Sequence, residues 1–232
     1  MTPQRVDGFG EEAQDVHGRL VEHAVRRLRD AGRAITMGIT GADASGKSRF
    51  AGAVCDVLRA HGQPFQLVHV DDFLRPRRVR YAGDLDEAEK YLNQSYDFEP
   101  LVERVLVPVR RGGEVETSMM HLDVATDRYE VERRYRVRPG TLVVLEGVFL
   151  LRPELRRHLD FLVFLDAPDE ELERRGTARD AALLGHDVTR RFREKYLPAQ
   201  RRLMAQYPPR SHADVIIDNT DWREPRILWG PR

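Results

Sequence analysis

The stretch Ile35-Thr36-Met37-Gly38-Ile39-Thr40-Gly41-Ala42-Asp43-Ala44-Ser45-Gly46-Lys47-Ser48 decides the reading of this chain. A short apolar run enters a loop bounded by glycines, and a segment with helical spacing follows at once. The loop reads G-x-x-x-x-G-K-S, the pattern of a phosphate-cradling P-loop. Gly41 and Gly46 permit backbone angles that residues with side chains resist. Successive N–H groups along Ala42, Asp43, Ala44 and Ser45 can therefore converge on one anion. The same amides open the next helix, where unpaired donors and the helix dipole both favour negative charge. Lys47 brings a cation to the β/γ-phosphates, Ser48 offers a hydroxyl to Mg²⁺, and Arg49 extends the cofactor-binding set by one residue. Lysine occurs only at positions 47, 90 and 195, so its place in the motif is not a by-product of a lysine-rich surface. A glycine turn with a surface lysine would look similar, but the strand-loop-helix context favours a site for a nucleoside triphosphate.

Working outward, 232 residues with 41% hydrophobic and 8% aromatic content suit one α/β domain over 1–232 with an appended lid or insertion. The formal net charge of +0 gives no global field towards nucleic acid or an anionic membrane. Cys55 stands alone, so no internal disulfide can form, and its helical setting suggests a small buried apolar group. Arg5, Asp7, Glu11 and Glu12 crowd the first residues without an apolar core, and no apolar run is long enough to span a membrane. The expectation is a soluble, cytoplasmic protein.

Residues 1–10 read as a loose tail. Val16, Leu20, Ala24 and Leu28 recur at helical spacing over 11–31, with Gly32 as the stop. The first strand is 35–40, and Phe50, Val54, Val57 and Leu58 mark the helix that follows. A second strand, 67–70, ends at Asp71-Asp72-Phe73. Residues 74–97 are polar and weakly patterned, 99–107 reads as a helix with Pro100 in its first turn, and 117–137 as a strand pair. Together about 74–140 forms a substrate-side insertion. Three more strands follow at 141–145, 161–165 and 214–218. Helices are expected from Pro168 to about 184 and over 187–205, the latter interrupted near Pro198. After Trp222 no pattern decides. Short apolar strands alternating with helices indicate a parallel sheet covered on both faces.

Open parallel sheets gather ligands outside the carboxyl ends of their strands. Asp71 and Glu146 stand at two such ends. Phosphoryl transfer needs positioned cations and a residue that orients the attacking hydroxyl and takes its proton. Asp71 fits that role, with Asp72 as the competing choice. Glu146, with Ser48 and Asp71, fits a magnesium site, because hard cations prefer oxygen ligands. Either acid could instead cap a turn or helix, and Asp166, just ahead of Pro168, fits a cap better than a ligand. The helix after Asp169 carries Arg174, Arg175 and Arg179, which could neutralise the transferring phosphoryl group or line a solvated face. Arg179 is the preferred site residue, and Arg175 the second. Arg75, Arg77, Arg78 and Arg80 could bind an anionic substrate or remain solvated, and both readings stay open. The eight histidines show no paired metal-ligand spacing, and nothing interleaves aromatics with basic residues as a nucleic-acid site would.

These residues and their order resemble the uridine kinases and the related phosphoribulokinase and pantothenate kinase group. GITGADASGKS, VDDFL, VVLEGVFLL, the arginine helix ending in Arg179-Asp180, and ADVIIDNTD follow the same sequence over about 35–221. The resemblance implies a P-loop three-layer sandwich: a five-stranded parallel sheet, helices on both faces and a helical lid at about 169–187. It implies ATP and Mg²⁺ as cofactors, Asp71 as the acid that activates the acceptor hydroxyl, Glu146 as the Glu-Gly strand end, and Arg179 as the lid arginine. Asp97, in Ser-Tyr-Asp, would match an acid that holds ribose hydroxyls, with Asp72 and Arg80 beside the acceptor. Residues 213–219 would pass near the adenine. Partners are then a small-molecule hydroxyl acceptor, with a homo-oligomer allowed and no nucleic acid or membrane.

The departures bear on the acceptor. Where uridine kinases resemble one another in a Tyr-Asp-Phe…His stretch, this chain reads Leu122-Asp123-Val124-Ala125-Thr126-Asp127. Leu184 and His186 stand where further lid arginines are common. The implied acceptor is a nucleoside such as uridine or a nucleoside-like compound. A pantothenate- or sugar-phosphate-type acceptor is the alternative, as is a nucleotide-dependent switch with no acceptor. No Asn-Lys-x-Asp guanine-reading sequence supports the switch.

Overall fold

The structure, a computed structural model, describes residues 11–184 and 187–230, with side chains over 16–181 and 187–230. The expected tail at 1–10, the side chain of Leu184 and the whole of His186 lie outside the described residues.

Six strands form the main sheet: β1 (Ile35–Gly41), β2 (Phe65–His69), β5 (Leu142–Glu146), β6 (Phe161–Asp166), β7 (Val215–Asp218) and β8 (Arg226–Trp229), in the order β2-β5-β1-β6-β7-β8. The first five run parallel, as the apolar pattern requires, and β8 adds an antiparallel edge on β7. The expected five-stranded parallel sheet is thus one strand short. Arg226–Trp229 is mostly exposed, and its apolar run, Ile227-Leu228-Trp229, is only three residues long, too short to mark it as a core strand. The second strand also shifts: it ends at His69, and Val70–Phe73 winds as a single 3₁₀ turn.

All seven residues of β1 are buried, so its alternate side chains serve two cores. Ile35, Met37 and Ile39 pack under the helices Glu11–Ala31 and Lys47–Ala60. On the other face Gly38 leaves room that a Cβ would take from Leu159 and Leu162, whose Cδ1 atoms would lie 2.7 and 2.8 Å away. A separate ribbon pairs β3 (Val115–Asp123) with β4 (Arg128–Val137), the expected strand pair, broken by a register shift between His121 and Leu122.

The weakly patterned region is more ordered than its sequence suggests. It holds a helix, Glu87–Gln94, whose N-cap Asp86 accepts from the Glu89 amide at 2.8 Å. Two other helices carry a π-helical turn directly ahead of a proline. Val102–Leu106 precedes Val107-Pro108, and Phe192–Tyr196 precedes Leu197-Pro198. Proline has no amide to donate and its ring crowds the carbonyl four residues back, so widening the preceding turn keeps the helix continuous. The expected interruption near Pro198 is therefore a local change of pitch. No described helix is long and apolar enough to cross a membrane.

Candidate active site

The parallel register brings the strand ends to one edge. Ile39 of β1 and His69 of β2 both align with Glu146, and Gly41 aligns with Leu165. Above this edge lies an open cleft of about 1140 Å³, large enough for a nucleotide and a small second molecule.

At one end sits the P-loop. Gly46 adopts φ +92°, a left-handed conformation that favours glycine, and a Cβ there would meet Asn219 Nδ2 at 2.8 Å. A Cβ on Gly41 would meet the Leu165 carbonyl at 2.5 Å. Asn219, fully buried, donates from Nδ2 to the Ser45 carbonyl at 2.6 Å and ties the loop to the end of β7. Among the described residues the amides of Asp43, Ala44, Gly46, Lys47 and Ser48 take no protein acceptor. Lys47 Nζ folds back on the Ala42 carbonyl at 2.8 Å. Such a nest of free donors at a helix start fits a polyphosphate.

Glu146 is buried, and its Oε1 receives Ser48 Oγ at 3.1 Å and His69 Nδ1 at 2.6 Å. The hydrogen bond to Glu146 holds the His69 imidazole above its ordinary pKa, against the opposing effect of burial. A hydroxyl and a carboxylate meeting this way form a hard oxygen donor set suited to Mg²⁺, which needs few protein ligands because substrate phosphates complete its shell. Among the described residues no group of three His, Cys, Asp or Glu side chains gathers to hold a metal.

Asp71 is the second residue of the 3₁₀ turn after β2 and opens onto the same cleft. Tyr96 donates its hydroxyl to Asp71 Oδ1 at 2.9 Å. The enclosing walls push the Asp71 carboxyl above the usual range even though water reaches it. Tyr96 and Lys47 pull it back, and Glu146 and Asp43 push it further up. Asp43 is itself held by the Tyr91 hydroxyl at 2.9 Å and by Gln200 Nε2 at 3.3 Å.

Of the residues expected at the site, Asp43, Ala44, Gly46, Lys47, Ser48, Arg49, Asp71, Arg80, Glu146, Arg175 and Arg179 line the cleft together. Gly41, Ala42 and Ser45 form the loop behind its surface. Asp72 does not reach it: the 3₁₀ turn sends its carboxylate to Arg133 Nε at 3.4 Å, on β4. Asp97 likewise stands off the lining, facing Arg75 at 3.5 Å and the Glu99 amide at 3.4 Å. Arg175 donates to the Asn219 carbonyl at 3.0 Å, which ties the helix Asp169–Leu184 to the loop after β7, and to Glu171 on its own helix. Arg179 is held by Asp180 through Nε and Nη2, at 2.7 and 2.9 Å. Of the stretch expected to form a lid, residues 185–186 lie outside the described residues.

Several lining residues escaped sequence reasoning: Tyr81, Tyr91, Tyr96, Arg191, Lys195, Tyr196 and Trp222. The Asp86-to-Glu89 capping pattern could have exposed the helix that carries Tyr91. Trp222 stacks beneath Arg49, whose guanidinium carbon lies 3.5 Å from the ring centre, and also meets Arg223 at 4.5 Å.

Residues 36–223 match the Phosphoribulokinase / Uridine kinase family. The chain belongs to that family. Family membership brings nucleotide-dependent phosphoryl transfer to a small metabolite. A uridine kinase from Aliivibrio fischeri is 29% identical over 188 residues, covering 79% of this chain and 85% of that protein. The fold is shared with a structure from Bacillus stearothermophilus described as a possible uridine kinase, with TM-score 0.64 and 23% identity over 85% of this chain and 98% of that one. A Silicibacter sp. TM1040 structure, described as a candidate fructose transport system kinase, gives TM-score 0.63 and 25% identity over 82% of this chain and 94% of that one.

Proposed function

We propose that this family member is an ATP- and Mg²⁺-dependent kinase of a small-molecule alcohol, with Asp71 as its general base. One observation carries the reading. The Asp71 carboxylate opens onto the cleft that the P-loop, Ser48 and Glu146 also line, and a tyrosine hydroxyl holds it there. The acceptor oxygen attacks the γ-phosphorus, the bond to the β–γ bridging oxygen breaks, and ADP departs. Asp71 receives the hydroxyl proton. The loop amides and Lys47 hold the phosphates, and Arg175 and Arg179 offset charge on the transferring group. Ser48 and Glu146 would hold the metal, which would supply charge neutralisation of the phosphates. Positioning and charge stabilisation supply most of the rate.

Uridine as acceptor has its support in the resemblance and in the names of the relatives. Against it, Val124 brings an apolar side chain to the cleft from the stretch where uridine kinases read the base. A site built to hydrogen-bond one base rejects analogues strongly, so the acceptor class reaches beyond nucleosides to sugar phosphates and pantothenate-like acids. The test is ADP release in the presence of each class, with Lys47→Ala and Asp71→Asn as controls. ATP hydrolysis that needs no acceptor and survives Asp71→Asn would replace the kinase with a nucleotide-dependent switch.

A further inference from the structure

Lys195 occupies an unusual place. It sits in the π-helical turn Phe192–Tyr196, is only 7% exposed, and lines the cleft. Its Nζ lies 5.1 Å from the ring centre of Tyr81, 5.2 Å from Tyr91 and 5.4 Å from Tyr196. Among the described residues this nitrogen has no hydrogen-bond acceptor and no carboxylate within ion-pair distance. The nearby acid, Glu87, faces Lys90 at 3.7 Å instead.

Three aromatic faces attract a cation, but each only weakly. Removing an ammonium from water without a counter-charge costs more than such contacts return. The box is therefore incomplete as a purely structural device. Burial lowers the Lys195 ammonium below the usual lysine range, Tyr81 and Glu87 oppose this, and Arg191 and Arg80 reinforce it. The neighbours are cations too. Arg80 and Arg191 line the cleft close enough to repel the Lys195 ammonium, and Arg80 Nε is buried without a partner. Asp127 is the acid that meets this group, 3.8 Å from Arg80.

The box also shares a wall with the proposed base. Tyr91 packs edge-on to Tyr196 at 5.1 Å and lies 6.3 Å from Tyr96, whose hydroxyl holds Asp71. We propose that Lys195, with Arg80 and its tyrosine box, binds an anionic group, a phosphate monoester or a carboxylate, carried by the acceptor alcohol. This rests on the kinase reading above and narrows it. The side chain is largely enclosed while its ammonium opens onto the cleft, so an anion there supplies a partner that a neutral nucleoside cannot.

The decisive experiment measures steady-state ADP formation with Mg-ATP and three acceptor sets: neutral alcohols (uridine, cytidine, ribose), sugar phosphates, and hydroxy carboxylates including pantothenate. At least one anionic set is expected to exceed every neutral acceptor in kcat/KM by about tenfold or more, and which set responds identifies the anion. Lys195→Gln is expected to raise the KM of that acceptor by about 10- to 100-fold, with kcat and the KM for ATP little changed, and Lys195→Arg to recover part of the loss. Melting curves establish that both variants fold. A neutral best acceptor whose KM ignores Lys195→Gln overturns the proposal. A second arm needs no turnover: with saturating Mg-ADP on the P-loop, inorganic phosphate is expected to raise the melting temperature of the wild type and not of Lys195→Gln. Equal shifts overturn the anion site whatever the kinase assay reads. A Lys195-dependent shift with no acceptor turned over leaves the anion site standing and removes the kinase reading instead.

Discussion

The Tyr96 hydroxyl donates to Asp71 Oδ1 at 2.9 Å, so the proposed base is fixed by a residue 25 positions along the chain. That bond stabilises the charged carboxylate and opposes the upward push of burial. Only the ionised form can accept the hydroxyl proton, so activity falls as pH drops through the Asp71 pKa. The acidic limb of kcat/KM is expected above the range of an ordinary aspartate. Tyr96→Phe removes the donor and should move that limb to still higher pH. A limb that stays put in the variant would show that another group limits the rate.

Glu146 joins Ser48 Oγ and His69 Nδ1 through one oxygen. Glu146→Gln keeps the shape and removes the charge that a divalent cation needs. The Mg²⁺ concentration for half-maximal rate should rise by about 10- to 100-fold. Titrating Mg²⁺ at fixed ATP checks this, and an unchanged curve would take Glu146 out of the metal site.

Asn219→Ala should loosen the P-loop from β7. The Ser45 carbonyl loses its 2.6 Å partner inside the protein, a loss of about 1–2 kcal/mol in stability. Chemical denaturation measures it, and a raised KM for ATP should accompany it, because the loop amides then lose their fixed aim.

Asp160 anchors the opposite end of the sheet. It receives the Thr36 amide at 3.0 Å and the guanidinium of Arg33 at 2.5 Å, with Arg110 beside it. Burial pushes its carboxyl up, but Arg33, Thr36 and Arg110 outweigh this and hold it below the usual range. A depressed carboxyl contributes stability above its unfolded pKa and loses it as pH falls through the folded one. Asp160→Asn should therefore lower stability by about 2 kcal/mol or more at neutral pH. The gap to wild type should close on acidification. A gap independent of pH would assign the loss to packing.

The P-loop, the five parallel strands and the strand-end acids were legible because each is written in consecutive residues with a short period. The choice between Asp71 and Asp72 was not. Two adjacent acids look alike until a 3₁₀ turn points one into the cleft and the other at Arg133. Lys195 was equally hidden. Its partners come from positions 81, 91 and 196, and only long-range packing of three helical segments assembles them. The edge strand Arg226–Trp229 escaped because three apolar residues after Pro225, largely exposed, are too short a run to separate a strand from a tail.

That edge strand has a bearing on how the protein meets other copies of itself. A bare β7 would offer unpaired backbone groups to any passing chain. β8 covers it with only four residues, and at the far side of the sheet the ribbon leans on β2, where the Arg136 amide donates to Gln66 Oε1 at 3.0 Å. One flank ends in a strand too short to template another, and the other is partly covered, so runaway strand-to-strand stacking is disfavoured at both.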